Sequence, residues 1–320
     1  ENLLNKLKNS SYGWFEPPAL GKKTIIYGLH GGSTWPGSAV DPNNNLLFTP
    51  VNQVPVGILG LGFLGKILSS ELTSFEESWG TWHKTPPPET TLPVFHFDWA
   101  DKNCWDSLPE TSAKLVLTIP PLLKDLQSET ERLHLWGNWM RQKRPQLKRL
   151  IYISTTGVYP KRNGIWSEDS EFEADTLSGQ LRLLTEKILS QYFQLQVIRP
   201  GGIYGFGRGI DVRLKLGKQI PLSSTPVHRI HVHDLARITL HLLENPFCTT
   251  CVNAIDLEAK PSWEVAHWLI ENRDDLTEEM FQEKTDELSG SPQRIISNKH
   301  LLELDIPLRY PTFRQGMMSS

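Results

Sequence analysis

Gly60-Leu61-Gly62-Phe63-Leu64-Gly65 follows the apolar run Val56-Gly57-Ile58-Leu59 and opens a stretch in which Leu64, Ile67, Leu68 and Leu72 share one helical face. At a strand-to-helix corner the three glycines do different things. Gly60 permits the tight turn, Gly62 lets the backbone approach a diphosphate, and Gly65 lets the helix pack closely on the strand. The unpaired N–H groups at Phe63 and Leu64 and the positive end of the helix would then face the phosphates. The same spacing away from such a corner would mean little. A dinucleotide's ribose is read about 20 residues further on, where an acidic residue accepts hydrogen bonds from the 2′-hydroxyl. This chain offers Trp82-His83-Lys84-Thr85 there, and Glu76 and Glu77 fall before the strand. His83 and Lys84 suit a 2′-phosphate, so NADP(H) is expected, with NAD as the alternative. Asp98, at the end of the third strand, is placed to reach the adenine edge. Thr118-Ile119-Pro120-Pro121 closes the fourth strand, with the proline pair fixing a tight exit past the dinucleotide. Ser154 ends the fifth strand and is assigned to the same edge.

Other chemistry-bearing residues lie further along. Arg208, Arg213, Lys215 and Lys218 would bind a phosphorylated or carboxylated small molecule, or else are solvated charge. Arg229, His231 and Asp234 are read as ordering a loop before a helix over Leu235–Leu243, with Asp234 as its N-cap. His231 and His233 alternate along a strand, which turns them to opposite faces and makes them no metal pair. Cys248-Thr249-Thr250-Cys251 has redox or zinc spacing but no second pair, so a structural role and no metal are expected.

The elements that must position these groups alternate strand and helix. Strands are expected at Val56–Leu59, Trp79–Trp82, Val94–Phe97, Lys114–Thr118, Leu150–Ser154 and Leu195–Ile198; helices are expected at Phe63–Thr73, Ser128–Lys143 and Ser178–Tyr192. Alternation of this kind predicts an α/β fold, a Rossmann-type doubly wound parallel sheet over residues 56–320, with a small C-terminal substrate lobe mainly in 200–320. Residues 1–55 read differently. Thr24-Ile25-Ile26-Tyr27 and Leu46-Leu47-Phe48 are short β-prone bursts separated by turn chemistry such as Asp41-Pro42-Asn43-Asn44-Asn45. A short β-rich segment is expected there.

Bulk properties narrow the function classes. Lys and Arg total 33 against 36 Asp and Glu, a formal charge of -3, which gives no reason to expect a nucleic-acid or membrane-surface partner. No apolar run is long enough to span a bilayer, and the first residues show no apolar core of a signal peptide. With 3 cysteines, too few for a disulfide framework, a reducing, cytoplasmic setting is expected.

Two resemblances add to this reading. Ile153-Ser154-Thr155-Thr156-Gly157-Val158-Tyr159, Arg199-Pro200-Gly201-Gly202-Ile203-Tyr204-Gly205 and Arg229-Ile230-His231-Val232-His233-Asp234-Leu235-Ala236, with the glycine turn before them, resemble the NAD-dependent epimerase/dehydratase family, the extended short-chain dehydrogenases. The resemblance implies a Ser/Thr at the end of the fifth strand and a Tyr-x-x-x-Lys pair, in which the phenol exchanges a proton as hydride moves to or from the nicotinamide. Counting from Val158-Tyr159, the Ser/Thr falls on Thr155 and the pair on Ser178 and Arg182. The phenol is therefore missing. Serine is a poor general acid, and positioned acid–base catalysis is worth roughly 10²–10⁴ in rate. Arg182 would hold ribose hydroxyls or phosphate but not relay protons. Tyr159 and Tyr204 are the candidates to replace the phenol. Gly179-Gln180-Leu181-Arg182-Leu183-Leu184-Thr185-Glu186 is similar to the atypical, YeeZ-like branch of the family, which lacks the standard tyrosine. The second resemblance covers residues 11–55. His30-Gly31-Gly32-Ser33-Thr34-Trp35-Pro36-Gly37 and the stretch after it are similar to one propeller blade of the quinoprotein (pyrroloquinoline quinone, PQQ-dependent) dehydrogenases. One blade cannot close a propeller, so no quinone is expected.

The reading is thus an NAD(P)-dependent oxidoreductase or epimerase-like enzyme acting on a sugar nucleotide or related hydroxy/keto compound, a small-molecule substrate. Its rivals are a non-catalytic dinucleotide-binding regulatory protein and a quinoprotein dehydrogenase fragment.

Overall fold

The structure, a computed structural model, describes residues 10–13, 23–26, 39–41, 46–48, 55–72, 77–87, 90–110, 112–122, 124–245, 248–284 and 292–318. The chain divides into two compact units, Glu1–Val54 and Pro55–Ser320. In the first unit, Ser10–Gly13 pairs parallel with Lys23–Ile26, and Ala39–Asp41 pairs antiparallel with Leu46–Phe48. The second pair is the hairpin that the Asp-Pro-Asn run predicts. Most of the blade-like stretch, His30 to Ser38, lies outside the described residues.

The second unit is built on a seven-stranded sheet: β1 Val56–Leu59, β2 Trp79–Trp82, β3 Val94–His96, β4 Lys114–Leu117, β5 Arg149–Ile153, β6 Gln194–Pro200 and β7 Cys251–Ala254. The spatial order is β7-β6-β5-β4-β1-β2-β3, and every pairing is parallel. Parallel pairing needs a crossover after each strand, so both faces are covered and the strands are apolar on both sides. Side-chain alternation divides them. Ile58, Val116, Ile151 and Ile153 join one core with Leu64 and Leu68 of α1 (Phe63–Glu71) and Leu235, Ile238 and Leu242 of α4 (Val232–Glu244). Leu59, Leu115, Leu117, Leu150 and Tyr152 join the opposite core with Leu133, Trp136 and Met140 of α2 (Leu126–Lys143) and Ile188 and Leu189 of α3 (Leu177–Leu189). These side chains are at most 5% exposed, and each fully buried one contributes roughly 1.5–3 kcal/mol relative to exposure.

Beyond β6 the chain builds a smaller lobe. Its core joins Tyr204, Ile210, Leu214 and Ile220 to Val265, Leu269, Phe313 and Met317. Two-stranded parallel pairs, Gly202–Tyr204 with Arg229–His231 and Gly164–Trp166 with Arg294–Ile296, tie the lobe's segments together.

Several boundaries differ from the sequence expectation. α1 ends at Glu71, α3 ends at Leu189, and α2 starts two residues early because Asp125 caps it, its carboxylate accepting from Ser128 N–H at 2.8 Å. α4 starts at Val232 rather than Leu235. His231 caps it, Nδ1 accepting from His233 N–H at 3.3 Å. Asp234 is therefore not the cap. It is buried within the first turn and accepts from the backbone N–H groups of Arg309 and Tyr310 at 2.7 and 2.8 Å. Nor do His231 and His233 face opposite ways. The strand ends at His231, and the two rings stack 5.4 Å apart at 16°.

Candidate functional site

Because the sheet is parallel, the carboxyl ends of β1 to β6 all reach one edge, and the order reverses between β1 and β4. A crevice at such a reversal is where an α/β sheet binds its ligand. The glycine turn sits there. Gly60 has φ +101°, in the left-handed range that favours glycine, and its N–H donates to Thr81 Oγ1 at 3.0 Å while Leu61 N–H donates to Thr81 O at 2.7 Å. A Cβ on Gly65 would overlap the Gly60 carbonyl oxygen, so only glycine lets α1 pack this close. Among the described residues a Cβ on Gly62 would meet nothing within 4 Å. Gly62 is exposed, α1 has no side-chain cap hydrogen bond among the described residues, and its first turn holds no acidic residue. The N–H groups of Phe63 and Leu64 belong to the first turn at the positive helix end, whereas the Leu64 side chain is buried in the core. The corner fits a diphosphate.

On the other side of β1, the exits of β2 and β3 meet. His83 Nε2 lies 3.4 Å from Asp98 Oδ2, and Lys84 is exposed beside them. Asp98 also accepts from Ala100 N–H at 2.9 Å, which shapes the turn after β3. Thr118 serves the turn itself: its hydroxyl donates to Gly60 O at 2.7 Å, so it locks the β4 exit to the glycine corner.

Across the crevice, Pro120, Pro121 and Lys124 face Leu177, Ser178, Leu181 and Arg182 over a cleft of about 290 Å³. The proline exit and the Ser178/Arg182 pair are therefore brought together. Ser178 is exposed at the start of α3. Arg182 donates to Ile153 O at 2.8 Å and Tyr152 OH at 3.1 Å, capping the end of β5. Thr155 Oγ1 accepts from Gly157 N–H at 3.0 Å and starts a turn against which α3 packs. The position of a Cβ on Gly179 would be 3.1 Å from Gly157 O.

Three sequence candidates lie inside the protein instead. Ser154 is buried and donates to Glu186 at 2.5 Å. Tyr159 is 1% exposed; it donates to Asn253 Oδ1 at 2.8 Å and accepts from Arg199 at 3.0 Å. Burial pushes its phenol up to about 12 despite the Arg199 charge. Tyr204 is also buried, with its phenol raised by burial and then by Asp256 and Asp234. Neither tyrosine lines the cleft of Ser178 and Arg182, and both are buried, which argues against either as a replacement for the missing tyrosine. The buried set Ser154, Glu186, Arg199, Tyr159 and Asn253 links β5, β6, β7 and α3, with Arg199 and Glu186 paired at 2.7 Å.

A second, larger cleft of about 450 Å³ opens in the smaller lobe, lined by Gly202–Tyr204, residues 207–210, Arg213, Lys218 and Arg229 among others. Arg208, Arg213 and Lys218 line it. Lys215 does not; it pairs with Asp275 at 2.5 Å. Of the cysteines, Cys248 is exposed and Cys251 lies in β7, where burial pushes its thiol up to about 12. A thiol held neutral is a poor ligand or redox partner, and among the described residues no group of acidic, His and Cys side chains could hold a metal.

Sequence reading missed Thr81, Glu129 and Glu186. Thr81 accepts from the glycine turn, and Glu129, fully buried, accepts from Leu122 N–H at 3.4 Å and from Arg132 at 2.9 Å. The only signal was a polar residue on an apolar face, at Thr81 between two tryptophans and at Glu129 and Glu186 on helical faces.

No family model matches the chain, and no curated protein does. Solved structures match it well. A protein of Methylobacillus flagellatus described as an NAD-dependent epimerase/dehydratase aligns over 83% of this chain and 97% of its own at 23% identity, with a TM-score of 0.66. The chain has the fold of the NAD-dependent epimerases/dehydratases. The same epimerase/dehydratase fold appears in UDP-N-acetylglucosamine 4-epimerase from Bacillus cereus, at 14% identity over 83% of this chain and 98% of that one, TM-score 0.64. It appears again in MoeE5, solved with UDP-glucose and NAD, at 18% identity over 82% and 96%, TM-score 0.67.

Proposed function

We propose that residues 56–320 form an NAD(P)-dependent oxidoreductase or epimerase-like enzyme acting on a sugar nucleotide or a related hydroxy/keto compound. The observation that carries this reading is the glycine corner: Gly62 open to space, Gly65 pressed on Gly60, and an uncapped helix end at the sheet's switch point. Gly60, Gly62, Gly65 and the N–H groups of Phe63 and Leu64 would hold the diphosphate. His83, Lys84 and Asp98 would hold the adenosine end, and Thr118 and Pro120 would border the ribose. The exposed Lys84, with no carboxylate at the end of β2, favours a 2′-phosphate and hence NADP(H). When bound, the nicotinamide supplies hydride transfer; the chain's own residues supply position. In this reading Thr155 and Ser178 would hydrogen-bond the substrate oxygen, with Arg182 bound to the end of β5. The 450 Å³ cleft with its arginines and lysine supports an anionic, phosphate-bearing substrate, and MoeE5 of the same fold was solved with UDP-glucose and NAD.

Calorimetric titration with NADPH and NADH tests the reading. Gly62→Asp decides it sharply. The backbone there is extended and, among the described residues, the side chain has room, so the variant is expected to fold while its carboxylate opposes the diphosphate. Tight binding by that variant refutes the assignment.

A second reading, a non-catalytic dinucleotide-binding regulator, draws on a specific observation: Ser178 replaces the phenol, and Tyr159 and Tyr204 are both buried. Hydride exchange from labelled NADPH across a panel of sugar nucleotides and ketones separates the two. Sustained turnover excludes the regulator.

A further inference from the structure

Arg208 stands where the glycine corner and the smaller lobe's cleft meet. Its backbone closes a tight tip, with Gly205 N–H donating to Arg208 O at 2.8 Å and Arg208 N–H to Gly205 O at 2.9 Å. Gly207 within the tip has φ +77°, a left-handed conformation that strongly favours glycine. The position of Arg208 is therefore set by the chain before any ligand arrives. Its guanidinium lies 5.3 Å from the centroid of the Phe63 ring, and Phe63 is the first residue of α1, next to the open side of Gly62. An arginine resting on an aromatic face is partly preorganised for a phosphate.

The neighbouring arginines are already committed. Arg229 donates to the carbonyls of Val227 and Lys260 at 2.8 Å each and to Ser262 at 3.2 Å. Arg213 donates to the carbonyl of Gln219. Arg208 is exposed, and among the described residues its side chain has the Phe63 ring and no carboxylate or carbonyl partner. A cation held at this place without an anion is left to meet one that binds.

We infer that Arg208 is a diphosphate clamp, the smaller lobe's own contact with the bound dinucleotide, reaching the phosphates beside the N-terminus of α1. This rests on the reading of the glycine corner as a dinucleotide site. It adds to that reading a binding residue from outside the glycine motif. The chemistry recognised is a diphosphate, for which the planar guanidinium makes paired hydrogen bonds to phosphate oxygens.

The test is calorimetric titration of the full chain and its variants with three probes: NADPH, ADP-ribose and adenosine 2′-monophosphate. Arg208→Gln should weaken NADPH and ADP-ribose by roughly 10-fold or more, the range expected for a charged hydrogen bond, and flatten the salt dependence of NADPH binding. It should leave adenosine 2′-monophosphate, which has no diphosphate, unchanged. Arg208→Lys should retain part of the affinity, and Lys143→Gln, which removes one positive charge at the exposed end of α2, should change nothing. If Arg208→Gln binds NADPH as tightly as the parent, the clamp is wrong while the glycine corner stands. If it weakens all three probes equally, the effect is general and the clamp is also wrong. A parent chain that binds no dinucleotide overturns both readings at once.

Discussion

The proposed function gives the choice of cofactor to one exposed side chain, Lys84. Lys84→Glu should reverse the preference toward NAD, read as the ratio of NADPH to NADH affinity; an unchanged ratio would move the selector elsewhere. Ser178→Tyr restores a phenol at the mouth of the cleft with Arg182 one turn away. It should raise hydride-transfer rate by roughly 10²-fold if proton exchange limits turnover, and single-turnover kinetics reads that directly. His228 offers a stability prediction at the same scale. It is 6% exposed, its Nε2 accepts from Ile296 N–H at 3.0 Å, and among the described residues its Nδ1 has no partner. Burial, then Arg294 and Arg229, lowers it from 6.5 to about 4. The fold thus favours neutral imidazole, so its contribution is complete above pH 6.5 and is lost as pH falls toward 4. That contribution is on the order of 3 kcal/mol at most. His228→Gln should flatten the acid limb of a stability-against-pH curve over that window, and an unaltered limb would assign the acid sensitivity to other groups.

At the scale of the element, the first βα unit is held by contact rather than by charge. Gly65→Ala sets a methyl against the Gly60 carbonyl and should cost roughly 1–3 kcal/mol by overpacking while weakening dinucleotide binding, both visible in melting curves with and without NADPH. The buried Glu186–Arg199 pair is a different risk. Glu186→Gln leaves Arg199 buried without its anion, and losses of about 3–5 kcal/mol follow when one partner of such a pair is removed. Strands and helices were legible because apolar period and glycine punctuation are local signals: Val56–Leu59 and Trp79–Trp82 fall where the sequence places them. Caps were less so. Asp234 has the chemistry of an N-cap, but it instead accepts two hydrogen bonds from the Arg309–Tyr310 backbone, about 75 residues away. Tyr159 looked available because its neighbours Ser154 and Thr155 belong to a site motif; only the packing of Asn253 and Arg199 around it shows that it is internal.

For the molecule as a whole, the unit from Pro55 onward contains every residue of the proposed site. Removing residues 1–54 should leave NADPH affinity unchanged, and a loss of binding would give the first unit a role in the site. The central strands of the main sheet send neighbouring residues to opposite cores, as Ile58 and Leu59 or Ile151 and Tyr152 do. Adding one residue inside such a strand would exchange the two interiors and ruin both. Adding several to the segments that leave the carboxyl ends disturbs neither. Length variation is therefore channelled to the rim that selects ligands, and the chain can alter what it recognises without renegotiating how it folds.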